Sequence, residues 1–273
     1  MGQGHDVRGS ETGTGILIIC QMKTYFVADA HLGSLAFNNS LYNEIKLVRW
    51  MDSIKADCEA LYLLGDMIDF WFEHRLVIPK GYARFFGKIA EFTDAGIPVY
   101  WFTGNHDIWL FDYVQKELGV IVFNEAIETV IHGKKIYMAH GDGLGDPSLQ
   151  FRILLRIFHN RFCQTLFAAM HPRQSIWLGL EWAKKSRLKR EREPEVYLGE
   201  DKEYLIQFAK KHADEYGENA ADFYIFGHRH ILIDLMISSK SRIIILGDWI
   251  HQFSYGELED NDFQLKIFKE ENQ

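Results

Sequence analysis

Five short apolar runs in this chain each give way at once to glycine, acid, amide or histidine, and that recurring ending constrains the fold more than any other feature. Phe26 to Ala28 leads into Asp29 and His31; LYLLGDMID sets Asp66 and Asp69 behind an apolar run; VYWFTGNHD does so with Asn105, His106 and Asp107, KIYMAHGD with His140, and FYIFGHRH with His228 and His230. Polar groups placed at the rim of a core cost free energy unless something compensates their desolvation. Helical stretches at about 42–57 and 79–95 separate the first runs. Strands interleaved with helices of that length imply βαβ units and a mainly parallel sheet. Ligands bind outside the carboxyl ends of such strands, so these residues are expected to converge though they lie far apart in the chain.

The character changes after His140. Residues 149–192 read as helical throughout, a further helix is expected at about 200–215, and strands return at 222–227, 231–237, 242–249 and 263–268. The pattern is one α/β domain, 22–273, with a helical cap insertion at about 147–215, preceded by a Gly-rich polar stretch, 1–21, expected to be a disordered or non-native extension with Met22 as the natural start. No run approaches the roughly 18 to 20 apolar residues of a membrane span. Cys20, Cys58 and Cys163 are odd in number and lack a CxxC spacing, which argues against a disulfide framework and for a reducing cytoplasm. A net charge of −8 argues against a dedicated nucleic-acid binder. Nothing in the pattern speaks to oligomeric state.

The strand-end set, Asp29, His31, Asp66, Asn105, His140, His228 and His230, offers only nitrogen and oxygen donors. That is more than one ion takes but suits two ions sharing a carboxylate, for which Asp66, beside Gly65, is the expected bridge. Imidazole mixed with carboxylate and amide favours Mn, Fe or Zn over Mg or Ca. Taken singly, an Asp after a strand is as readily a helix cap or an Asx turn, and a lone His is more often packed than ligating; the joint pattern is what points to metals. His106, directly after Asn105, is placed to donate to a leaving oxygen, with Asp107 as its expected orienting partner, and Asp69 and Asp142 fit groups that fix ligand imidazoles.

The series DAH, LGDMID, GNHD, HGD and GHRH resembles the calcineurin-like metallophosphoesterase superfamily from about Lys23 to the last strand. That resemblance implies a sandwich of two mixed β-sheets flanked by helices. It further implies one ion on Asp29, His31, Asp66 and His230 and a second on Asp66, Asn105, His140 and His228.

The inserted helices sharpen it. QFRILLRIFHNRFCQTLFAAM is apolar on all sides, and WAKKSRLKRER carries six cations in eleven residues, which suits either a lipid or anionic membrane surface or an ordinary helical core with a solvated basic face. With GDMIDFW and the segments QFR and QTLF, this cap is similar to that of the UDP-2,3-diacylglucosamine hydrolases of lipid A synthesis. The similarity implies a manganese-dependent enzyme at the cytoplasmic face of the inner membrane that splits a pyrophosphate into UMP and 2,3-diacylglucosamine 1-phosphate. It also implies substrate contacts on Asn105, His106 and His228, and, more loosely, on Asp146, Ser186 and Arg190. The best-known branch carries Arg where this chain has His106, and a proline often follows the last motif, which is absent from GHRHILI. Two alternatives stay open: a metallophosphoesterase acting on another lipid or nucleotide phosphodiester, and a non-enzymatic membrane or scaffold protein.

Overall fold

A computed structural model describes residues 21–36, 40–192 and 196–270. Apart from Gln21, the expected N-terminal extension lies outside the described residues, as does Cys20. Six strands form one sheet in the order β11-β10-β1-β2-β3-β4: β1 (Lys23–Val27), β2 (Cys58–Leu63), β3 (Val99–Phe102), β4 (Ile121–Phe123), β10 (Ser254–Glu259) and β11 (Asp262–Ile267). Five form a second, in the order β5-β6-β7-β9-β8: β5 (Ile127–Ile131), β6 (Lys134–Ala139), β7 (Phe223–Phe226), β8 (Leu232–Met236) and β9 (Arg242–Leu246). The central strands β1 to β4 pair in parallel, as do β6, β7 and β9; the outer strands of each sheet run antiparallel, except β4.

Side chains alternate across a strand, and that alternation divides the core into layers. Phe26 and Ala28 of the first run join Tyr62, Leu64 and Phe102 on the face that meets Met138, Ile225 and Ile244 of the other sheet. Tyr25 and Val27 face the other way, with Leu61, Leu63 and Trp101, against Trp50 of α1 (Ser40–Ile54) and Phe85, Ile89 and Phe92 of α2 (Ala83–Asp94). The strands are therefore apolar on both faces, which is why they read as continuous apolar runs.

Among the described residues, four α-helices lie between β6 and β7. The helical reading of 149–192 is interrupted twice, giving α4 (Leu149–His159), α5 (Arg161–Ala169) and α6 (Pro172–Arg192). Asn160 ends α4 and caps α5, its Oδ1 accepting from the N–H groups of Phe162 at 2.9 Å and Cys163 at 3.1 Å; Pro172 supplies the first residue of α6, where a missing N–H costs nothing. Neither α4 nor α5 contains a buried residue. By contrast α7 (Tyr204–Tyr216) buries Leu205, Ile206, Ala209 and Ala213 with Tyr224, Phe226 and Ile243 of the second sheet, so it packs as part of the body. The short α3 (Tyr113–Leu118), β4, β5 and β10 were not evident in the sequence pattern.

Candidate metal centre

All five strand-end segments meet at one rim. Asp29, His31 and His230 form one group whose ligand atoms lie within 4.8 Å of one another, and Asp66, His140 and His228 form another. Asp66 Oδ2 stands between them, 3.6 Å from His31 Nε2 and 3.4 Å from His140 Nε2. Its other oxygen accepts the N–H of His106 at 2.8 Å, which holds the carboxylate in place. Asn105 is buried beside them, its Oδ1 without a hydrogen-bond partner.

The backbone that makes this convergence possible is strained. Asp29, His31, Asp66, His228 and His230 all have positive φ, at 55°, 43°, 52°, 67° and 49°. The left-handed region costs a non-glycine residue about 1–3 kcal/mol when nothing offsets it, though Asp and His tolerate it better than most. Here the turns are locked to one another: Asp29 N–H donates to Gly65 O at 3.0 Å, His31 N–H to Asp66 O at 2.9 Å, and His228 N–H to Asp29 Oδ2 at 2.7 Å. Gly65 leaves no room for a side chain, because with φ at +86° a Cβ there would stand 2.5 Å from His140 Nδ1.

Hydrogen bonds set which atom each ring presents. His140 Nδ1 donates to Leu64 O at 2.8 Å, leaving Nε2 toward Asp66. His230 Nδ1 lies 3.7 Å from Asp248 Oδ2, whose other oxygen is fixed by the N–H groups of Ile250, His251 and Gln252. His31 Nδ1 lies 3.3 Å from Asp69 Oδ1.

Charges follow from this packing. Burial would raise the Asp66 carboxyl, but His140 and His106 beside it hold it well below the usual carboxylate range. Burial would lower His140, and Asp66 overrides it and raises the imidazole well above its ordinary value. His31 is pushed well down, first by burial and then by the Arg187 guanidinium. Burial raises Asp69 to about 6, against the pull of Arg187. Asp248 sits at about 2, because His230 and the backbone donors outweigh its burial.

Arg187 and Asp248 were missed by the sequence reading. Arg187 projects from α6 into the rim and is buried to 2% exposure; its Nη2 lies 2.7 Å from both ring nitrogens of His31 and 3.2 Å from His106 Nε2, and its Nε donates to Asp69 Oδ1 at 3.2 Å. In sequence it was one of six clustered cations, and nothing local distinguishes it from its neighbours. Asp248 did carry a signal: it follows Gly247 behind the apolar run RIIIL, one more strand ending of the same kind.

Other expected residues fall differently. Asp107 does not orient His106 through the bonds it makes: Oδ1 accepts from Gly104 N–H at 2.7 Å and Asp66 N–H at 3.2 Å, and Oδ2 from Met67 N–H at 2.9 Å and Trp101 Nε1 at 3.1 Å. Those four donors make Asp107 the fastener of two ligand loops. The His106 ring is set by the main chain, with Nδ1 donating to Asp69 O at 2.7 Å. Asp146 Oδ1 accepts Ser148 N–H at 2.7 Å, an Asx turn leading into α4. Asp142 is half-buried in the turn after β6, where burial raises its carboxyl and His140 opposes the shift. Ser186 is half-buried on α6, and Arg190 lies on the same helix outside the residues whose side chains are described.

The donors fit a pair of cations. Asp29 Oδ1, Asp66 Oδ2, Asn105 Oδ1 and His140 Nε2 are all buried without a hydrogen-bond partner, and such atoms are rare unless they bind something. They come from four strand ends, and every one can act as a Lewis base.

The calcineurin-like phosphoesterase family model matches residues 22–232. The chain belongs to that family. Among the phosphoesterase's relatives, a protein from Porphyromonas gingivalis named UDP-2,3-diacylglucosamine hydrolase is 41% identical over 259 residues, covering 91% of this chain and 98% of the relative. Proteins of the same name from Histophilus somni and Haemophilus influenzae are 24% identical over 246 residues and 26% identical over 229, covering 99% and 90% of those chains. The phosphoesterase is thus a metal-dependent phosphodiester or pyrophosphate hydrolase with His and Asp clusters that suit a dinuclear site.

Proposed function

We propose that the chain hydrolyses the pyrophosphate of UDP-2,3-diacylglucosamine to UMP and 2,3-diacylglucosamine 1-phosphate, using two Mn ions held by Asp29, His31, Asp66 and His230 and by Asp66, Asn105, His140 and His228. The observation that carries the lipid half is an apolar pocket of about 230 Å³ under the cap, lined by Phe70, Trp109, Phe158, Phe167, Leu178 and Trp182 among others. Its Trp182 ring stands 5.3 Å from the His106 ring, so the pocket opens beside the reacting groups. Gly179 brings α6 onto this wall, for a Cβ there would overlap the Phe70 ring. The full-length relatives named for this substrate support the same reading.

Bound metal ions would supply an activated water and neutralise phosphoryl charge. The chain's own groups do the rest. Arg187 presents a buried planar cation that suits two diphosphate oxygens at once, and it stands against His106, the position where the best-known branch carries an Arg. His106 Nδ1 donates to Asp69 O and its Nε2 faces Arg187 Nη2 at 3.2 Å; to give a proton to the leaving oxygen the ring would first take one up at Nε2. The cap and its aromatic wall exclude water from that exchange.

The cap's outer surface supports a seat on an anionic membrane at its cytoplasmic face. Ile153, Ile157, Phe162, Leu166 and Trp177 are exposed there, and the exposed Arg152, Arg156, Arg161 and Arg173 are interleaved with them. No helix among the described residues is long and apolar enough to cross a membrane.

The deciding experiment incubates Mn-loaded full chain with UDP-2,3-diacylglucosamine in detergent and measures UMP release. Robust release is expected. Comparable turnover of a water-soluble nucleotide diester without detergent would overturn the lipid assignment in favour of another phosphodiester, and a His106→Ala chain retaining full function in cells would favour a scaffold.

A further inference from the structure

A second, smaller pocket lies on the other metal group's side, walled in part by His140. It measures about 80 Å³ and also draws on Thr103, Phe123, Asn124, Glu125 and Asp142, at the ends of β3 and β4 and in the turn after β6. Its character is the reverse of the cap pocket. The volume is too small for an acyl chain, and its rim is polar: Asn124 and Glu125 are exposed, and Thr103 Oγ1 donates to Asn124 Oδ1 at 3.4 Å. Phe123, half-buried and tilted by 37° against Phe102 at 5.1 Å, provides one apolar wall.

We propose that this pocket is the nucleoside subsite, seating the pyrimidine base while the ribose lies at its exposed rim, so that the diphosphate crosses the metal centre between it and the cap pocket. The inference rests on the substrate class proposed above and adds the substrate's direction. A carboxamide offers both a donor and an acceptor, the pattern a uracil edge also presents, and a carboxylate accepts from a ribose diol; Asn124 and Glu125 supply one of each. The Phe123 ring gives the base a face to lie against. Because His140 belongs to this wall and His106 adjoins the other pocket, base and lipid leave the centre on different sides. None of these three rim residues is needed to hold a cation, so the pocket can be altered while the metal centre stays whole.

Calorimetric titration of the metal-loaded full chain with UMP, and separately with inorganic phosphate, tests the subsite. UMP is expected to bind more tightly than phosphate. Asn124→Ala and Glu125→Ala should each weaken UMP by about tenfold, the loss of one hydrogen bond, and leave phosphate binding and metal content unchanged. UMP binding no tighter than phosphate, or equal UMP affinity in wild type and both variants, overturns the proposal. Substrate turnover separates the two readings. If UDP-2,3-diacylglucosamine is not cleaved while the variants still lose UMP, the substrate assignment falls and the subsite stands; if it is cleaved and the variants match wild type, the subsite alone falls.

Discussion

The strand-end rim and the helical cap are built on opposite principles. At the rim every candidate ligand except the partly exposed His230 is buried, five of them sit in left-handed backbone, and the loops hold one another through hydrogen bonds such as the four accepted by Asp107. In the cap, α4 and α5 bury nothing fully, and the helices meet the body mainly through the cluster of Phe70, Phe72, Trp109 and Ala183. Strain can be stored only where the surroundings over-determine a conformation, so chemistry belongs to the rim. Loosely packed helices can yield to a flexible substrate, so selection belongs to the cap. Arg187 is the cap side chain that hydrogen-bonds into the rim's buried network, while the rings of Trp182 and Phe151 come to 5.3 Å from His106 and 5.7 Å from His228.

Substitutions can break or sharpen that contrast. The largest effect is expected from Asp66→Asn at the rim: metal content by elemental analysis should fall below two per chain and turnover should drop by more than about 100-fold, beyond what partners of ligands usually cost. Two metals retained would break the bridging assignment. Arg187→Ala tests the link between regions. Turnover should fall by about 100-fold, the scale of a lost charge-stabilising donor, with metal content unchanged, and Arg187→Lys should recover little because an ammonium lacks the planar fork. Asp248→Asn loosens a ligand ring without removing a ligand, so metal affinity by competition with a chelator should weaken by about tenfold. The smallest change in stability belongs to the cap surface: Phe162→Ser with Trp177→Ser should shift unfolding free energy by no more than about 0.5 kcal/mol while binding to anionic vesicles, read by flotation, declines. A large loss of stability there would show that these exposed residues pack on something.

The convergence of the seven candidate donors could be read from the chain because each is tied to a local event, the end of an apolar strand, and strand direction in a parallel sheet carries that event to a common edge. Asp248 obeyed the same rule and was passed over because the run RIIILGDW was read as strand to its end, whereas β9 stops at Leu246. Asp107 misled for the opposite reason. Adjacency to His106 suggested a partner, but neighbouring residues in a turn point apart, and its carboxylate instead met backbone donors from a loop about forty positions away. The cap helices were visible as an apolar pattern, yet their breaks at Asn160 and Pro172 depend on capping choices that periodicity does not reveal.

What the chain determined unaided was therefore a layered α/β body, a ring of nitrogen and oxygen donors and an insertion of apolar, basic helices, since each follows from local patterning and from the geometry of parallel strands. Tertiary structure alone decided that Asp66 stands between both donor groups, that Asp69 O and not Asp107 sets the His106 ring, and that Arg187, out of several equivalent cations, enters the site. Those outcomes depend on how distant loops, and for Arg187 one helix, are seated against one another, and no short-range pattern records contacts between residues 37 to 156 positions apart.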